Sequence, residues 1–143
     1  GRPAARTREA WQARMVERDT DPAYSLNFVI DVDGEAVGNV GLFEVDELAR
    51  HAEVGIALIP SARGKGIGTE AMAQMLEFAF VRGNLRRVHL EVIASNAAAI
   101  RSYEKAGFVV EGRQREHAWV RGQYEDIVRM GILRSEWSGA PAA

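Results

Sequence analysis

Apolar and polar residues alternate with a period of two over much of this chain, the spacing of strands with one buried face. Leu26 to Val32 and Glu35 to Val45 are two such runs, separated by Asp33-Gly34, a dipeptide suited to the positive φ angles of a tight hairpin turn. Arg50 to Ile59 sets Ala52, Val54, Ile56 and Leu58 against His51, Glu53, Gly55 and Ala57, which predicts a third strand ended by Pro60. Arg87 to Ile93 repeats the pattern through Val88, Leu90 and Val92. Phe108 to Val120 and Tyr124 to Leu133 form a long hairpin turning at Arg121-Gly122.

Three stretches change to helical spacing. Thr7 caps a helix running to Arg18, with Ala10, Trp11 and Met15 on one face, before Asp19-Thr-Asp-Pro22 stops it. Thr69 to Arg82 carries Met72, Met75, Leu76 and Ala79 inward, and Asn96 opens a helix that ends at Gly107. A helix between the Arg50 and Arg87 strands implies a βαβ crossover. The expected fold is therefore α/β (α+β), a mixed, mostly antiparallel sheet flanked by helices. Residues 1–137 read as one domain, and the small, polar residues 138–143 as a flexible tail.

Composition narrows the chemistry. The 143 residues carry 18 Lys plus Arg against 20 Asp plus Glu, a formal charge of −2, so there is no basic excess to favour nucleic acid. Without cysteine, disulfides, thiolate metal sites and cysteine nucleophiles are excluded. His51, His89 and His117 share no ligand spacing, so no metal is expected, and no apolar run approaches the ~20 residues of a membrane helix.

The chemical signal is Arg63-Gly-Lys-Gly-Ile-Gly68, lying between a strand and a helix. Backbone N–H groups of such a loop, backed by the positive end of the helix, form a concave donor surface for phosphate oxygens. The spacing is not that of a P-loop, and Thr69 stands where the last glycine of a dinucleotide fingerprint belongs. A tight strand-to-helix turn with no ligand is the structural alternative.

This loop resembles the R/Q-x-x-G-x-G/A signature of the GNAT family of N-acetyltransferases. Asn96-Ala-Ala-Ala-Ile-Arg-Ser-Tyr103-Glu-Lys-Ala-Gly107-Phe108 is similar to the family's N-x-x-A-x-x-x-Y-x-K-x-G-F segment. The run Glu111 to Trp119, with Gly122-Gln-Tyr124-Glu-Asp126 and Met130, resembles the C-terminal hairpin of its ribosomal-protein-alanine and spermidine acetyltransferase branch. The resemblance implies a GNAT fold with the sheet splayed between two strands. It also implies direct transfer of an acetyl group from acetyl-CoA to a primary amine, either a protein α-amine or a small-molecule amine. The diphosphate of coenzyme A is expected on Gly64, Gly66, Ile67, Gly68 and Thr69, with Arg63 and Lys65 at the rim. Its pantetheine arm is expected between the strand ending at Leu58-Ile59 and the strand ending at Val92-Ile93, hydrogen-bonded by Asn96.

Tyr103, seven residues beyond Asn96 on the same helical face, is the expected general acid; a core tyrosine with a local partner is the alternative. Glu53, ten residues before the loop, is the expected base acting through water, with Glu91 on the adjacent strand as its competitor. For each histidine a structural or solvent role is expected. Trp119 and Tyr124 flank the hairpin turn, which in the related branch contributes to the acceptor pocket or a dimer contact; cross-strand packing alone would also explain them.

The family's domain ordinarily begins with a strand and a helix or helix pair ahead of the first hairpin. Here one candidate helix precedes Leu26 and the chain opens on Gly1, so the first strand and helix are expected to be missing. A noncatalytic coenzyme A-binding domain of a longer protein is the rival reading, and a domain for another phosphate ligand such as ATP or NAD a third. The cytoplasm, where acetyl-CoA is made, is the expected location.

Overall fold

The structure is a computed structural model and describes residues 23–139. The helix expected over Thr7–Arg18 and the question of earlier elements lie outside the described residues, as does most of the expected tail. Six strands, β1 (Ala23–Val32), β2 (Glu35–Asp46), β3 (His51–Leu58), β4 (Arg87–Ile93), β5 (Val109–Val120) and β6 (Gln123–Leu133), form one sheet in the order β1-β2-β3-β4-β6-β5. Every neighbouring pair is antiparallel except β3 and β4. Both expected hairpin turns form with two consecutive positive φ angles, 53° and 84° at Asp33-Gly34 and 50° and 81° at Arg121-Gly122. Those are the signs that a turn matched to the strand twist requires.

Helix α1 (Ile67–Glu77) starts two residues before the expected Thr69, because Gly66 ends the loop in the left-handed region at φ 82° and releases the chain into helix. It does not run unbroken to Arg82. Phe78–Arg82 widens into a π-helical turn closed by Gly83 N–H donating to the Phe78 carbonyl at 2.8 Å. The wider turn lets consecutive Ala79 and Phe80 both face the core.

Helix α2 (Ala97–Ala106) has the expected ends. Asn96 Oδ1 accepts from Ala99 N–H at 3.1 Å. At the other end Phe108 N–H reaches the Tyr103 carbonyl and Gly107 N–H the Glu104 carbonyl, both at 3.0 Å, with Gly107 at φ 110°.

The core joins one face of the sheet, through Phe28, Ile30, Val40, Leu42, Val54, Val88, Leu90 and Met130, to Met72, Met75, Leu76 and Phe80 of α1 and its π turn. Ala99, Ile100 and Tyr103 of α2 pack against the same cluster. Both described helices therefore cover the face to which Ala52 and Val54 point. The opposite face carries His51, Glu53, Gly55, His89 and Glu91, and no described helix covers it.

Candidate active site

The parallel pairing of β3 with β4 covers only His51 with Arg87, Ala52 with Val88 and Glu53 with His89. Beyond that point each strand stays bound on its outer side, β3 to β2 as far as Leu58 and β4 to β6 as far as Ile93. The facing inner edges therefore diverge with backbone N–H and C=O groups turned into the gap, and buried groups of that kind need partners. The gap opens into a groove of about 690 Å³ lined by β3 residues Ile56–Leu58, by Arg63, Gly64, Gly66, Gly68 and Thr69 of the loop, and by Asn96, Ala98, Ala99, Ser102 and Tyr103 of α2.

The glycine loop forms one end of this groove. Gly64 and Gly66 sit at φ 74° and 82°, and a Cβ built on either would meet nothing within 4 Å. Both positions therefore border open space, and the loop leads directly into the amides that begin α1. Arg63 Nε donates to the Leu58 carbonyl at 3.3 Å, tying the loop to the end of β3, and Thr69 Oγ1 lies 3.5 Å from Ser102 Oγ across the groove.

Gly66 and Gly68 should respond oppositely to alanine. At Gly66 the positive φ alone is expected to cost about 1–2 kcal/mol. Gly68 lies within the helix, where a methyl would find Leu58 Cδ1 at an ordinary 3.5 Å, so replacement there is expected to be neutral or stabilising by up to about 1 kcal/mol. Urea-unfolding midpoints of the two variants check the sign of each.

Of the residues singled out in the sequence, Leu58, Arg63, Gly64, Gly66, Gly68, Thr69, Asn96 and Tyr103 line one groove. Ile59, Lys65 and Ile67 do not line it. The Ile67 side chain is buried in the core, which leaves only its backbone amide to face a ligand, while Ile59 N–H extends the β2 pairing to the Val37 carbonyl at 2.9 Å. The oxygen of Asn96 is committed to capping α2, leaving its NH2 group for a ligand. Ile56, Ala57, Ala98, Ala99 and Ser102 also line the groove and were not singled out; Ala99 and Tyr103, three and seven residues beyond Asn96, share its helical face and carried the signal.

Tyr103 packs edge-to-face on Phe108, with ring centroids 6.0 Å apart. The ring packs against the core cluster while the residue lines the groove. Burial pushes its pKa above the ordinary tyrosine range, keeping the phenol protonated at neutral pH.

Glu53 occupies the last paired position before the strands part, and its carboxylate stands on the helix-free face. Burial, then repulsion from Glu91 and Glu44, raises its pKa, and Arg129 offsets this only in part. Glu91 itself is exposed and held by the Arg129 guanidinium. His51 and His89 meet edge-to-face at 5.6 Å on the same face, each with a buried Nδ1 that has no hydrogen-bond partner, and burial lowers the pKa of His89. Among the described residues no three histidine or carboxylate groups gather as metal ligands would, and no helix is long and apolar enough to cross a membrane. Trp119 and Tyr124, 64% and 63% exposed, pack edge-to-face at 4.8 Å beside the β5–β6 turn.

Comparison with known proteins adds an independent line of support. The chain is 36% identical over 110 residues to the spermidine N(1)-acetyltransferase of Escherichia coli K12, covering 77% of this chain and 59% of that protein. It is 33% identical over 107 residues to the putative ribosomal N-acetyltransferase YdaF of Bacillus subtilis, covering 75% of this chain and 58% of the relative. It thus spans about three-fifths of the length of these relatives. The crystal structure of spermidine N-acetyltransferase from Vibrio cholerae in complex with CoA and spermine superposes with a TM-score of 0.75 at 34% identity, over 78% of this chain and 67% of that one. Another structure of the Vibrio cholerae enzyme is dodecameric. The model of the acetyltransferase (GNAT) family matches residues 2–108, and together with the splayed sheet and the glycine-loop groove it shows that this chain belongs to the GNAT family.

Proposed function

We propose that the chain is an acetyl-CoA-dependent N-acetyltransferase in which a primary amine attacks the thioester directly. The observation that carries this reading is the three-pair β3–β4 ladder, which opens into a groove ending at an anion-ready glycine loop and places Glu53 where the strands part. In this reading the donor's diphosphate rests on the amides from Gly64 to Thr69, with Arg63 and Lys65 adding positive charge. The amide-bearing arm pairs with the inner edge of β3 along Ile56–Leu58, as an added strand would, and the Asn96 NH2 group donates to it.

Donor and acceptor reach the gap from opposite faces of the sheet. Tyr103 stands on the helix side and Glu53 on the helix-free side. An incoming ammonium loses a proton to Glu53 through water, and its raised pKa makes this carboxylate a stronger base than an exposed glutamate. The amine nitrogen then forms a bond to the thioester carbonyl carbon, the C–S bond breaks and the thiolate takes the Tyr103 proton, while the second proton leaving the acylated nitrogen passes through water to restore the phenol and Glu53 returns its own proton to solvent. Products are the acetylated amine and coenzyme A. With no cysteine in the chain, no thiol carries the acetyl group between steps.

Polyamines are the first acceptors to test, because the relatives include spermidine acetyltransferases; amino acids and protein α-amines follow. The exposed Trp119–Tyr124 pair is assigned to contact with the acceptor or with a second copy of the chain. The cytoplasm, where acetyl-CoA is made, is the compartment in which this reading places the reaction.

A thiol-reactive dye can follow coenzyme A release without protein background. Turnover with one amine class is the expected result. Donor binding by calorimetry without turnover on any amine would favour a noncatalytic coenzyme A-binding domain. Absence of donor binding would overturn the assignment.

A further inference from the structure

At the opposite end of β3 from the glycine loop, three strand ends bring arginines together. Arg50 immediately precedes β3, Arg86 immediately precedes β4 and Arg87 opens it, and Arg134 follows β6. Backbone bonds tie them into a row, with Arg86 N–H donating to the Arg50 carbonyl at 2.7 Å and Arg134 N–H to the Arg86 carbonyl at 2.8 Å. The four residues line a cavity of about 590 Å³, with Ala49, Leu133 and Ser135 in its wall.

Of the carboxylates near the row, Glu111 is ion-paired with Arg87 through two bonds of 2.6 Å, while Asp46 accepts from the amides of Leu48 and Ala49 and Glu136 from the Leu133 amide, and both keep their charge. Among the described residues no carboxylate pairs with Arg50, Arg86 or Arg134. Arg50 and Arg134 are instead held by neutral oxygens. Arg50 donates to the Asn84 carbonyl and side-chain oxygen at 3.0 and 3.4 Å, and Arg134 donates to the Phe80 carbonyl. These bonds orient the guanidinium groups without cancelling their charge, and Arg50 holds its place with a left-handed φ of 63°. Such a concentration of oriented cations in a chain of formal charge −2 is the recognition chemistry of a phosphate-bearing anion.

We propose that this cavity binds a small polyphosphate, a di- or triphosphate chain bridging Arg50, Arg86 and Arg134. The volume exceeds the need of one orthophosphate. The eight residues of β3 separate the cavity from the glycine loop by about 26 Å, so this is not the donor's phosphate site.

The test is calorimetric titration of the whole chain with inorganic tripolyphosphate at fixed ionic strength, with and without saturating coenzyme A. One equivalent is expected to bind in both conditions. Arg86→Gln, which removes no side-chain hydrogen bond among the described residues, should weaken binding at least tenfold, and Arg86→Gln with Arg134→Gln should abolish it. Binding that survives in the double variant, that coenzyme A displaces, or that is absent from the parent would each overturn the proposal. The Arg86→Gln comparison needs no donor binding, so it decides the matter even if the acetyltransferase reading fails.

Discussion

Replacing Tyr103 with phenylalanine is expected to lower kcat by roughly 10²- to 10⁴-fold, the range for loss of a positioned general acid, while leaving coenzyme A affinity unchanged. The separation follows from how the side chain is held. The ring is fixed by its packing on Phe108 and the core cluster, and phenylalanine keeps both contacts. Only the hydroxyl is lost. Because burial raises the tyrosine pKa, the parent should hold its kcat until the pH passes the ordinary tyrosine range, then lose it as the phenol ionises. The variant should lack that alkaline limb. Single-turnover rates across pH, paired with donor titrations, check both parts. An unchanged kcat would mean that another group protonates the thiolate and that Tyr103 serves packing alone.

The features legible in the sequence were those governed by neighbours along the chain. Asp33-Gly34 and Arg121-Gly122 specify their turns through φ signs that few other dipeptides tolerate, and Asn96 and Gly107 fix the ends of α2 through bonds spanning a few residues. The glycine loop was legible for the same reason. What depended on packing was not. That the sheet splays between two strands followed from the family resemblance alone, since the periodicity of β3 and β4 continues unchanged through the break after Glu53. Ile67 shows the limit within a motif: spacing places it in the loop, yet its apolar side chain belongs to the core and only its amide can serve a ligand. The π turn at Phe78–Arg82 is similar, since two consecutive inward residues violate the helical period from which the helix was read. The arginine row joins residues 50, 86 and 134, which no local pattern connects.

Glu53→Gln is expected to remove activity and add stability, and the pH dependence of the second effect identifies its cause. As general base Glu53 should account for roughly 10²- to 10⁴-fold in kcat/KM. Its charge is also a burden on the fold, because burial and the Glu91 and Glu44 carboxylates all oppose ionisation. Its folded-state pKa lies above the unfolded value of about 4.5, so between the two the native state binds the extra proton. The stability associated with the protonated form is therefore fully present below the unfolded pKa and is lost as pH rises through the folded one. Glutamine mimics the protonated form at every pH. The variant should match the parent near pH 4 and exceed it in thermal midpoint at neutral pH, the gap growing across that window. His89 has the opposite linkage, its depressed pKa making stability fall as pH drops below about 6.5, but it is common to both proteins and cancels in their difference to first order. Glu91→Gln is the discriminating companion. Glu91 is exposed and paired with Arg129, so its loss should spare most activity. If Glu91→Gln silenced the enzyme while Glu53→Gln did not, the base would be Glu91, and the raised pKa of Glu53 would reflect only its position between two strands and two like charges.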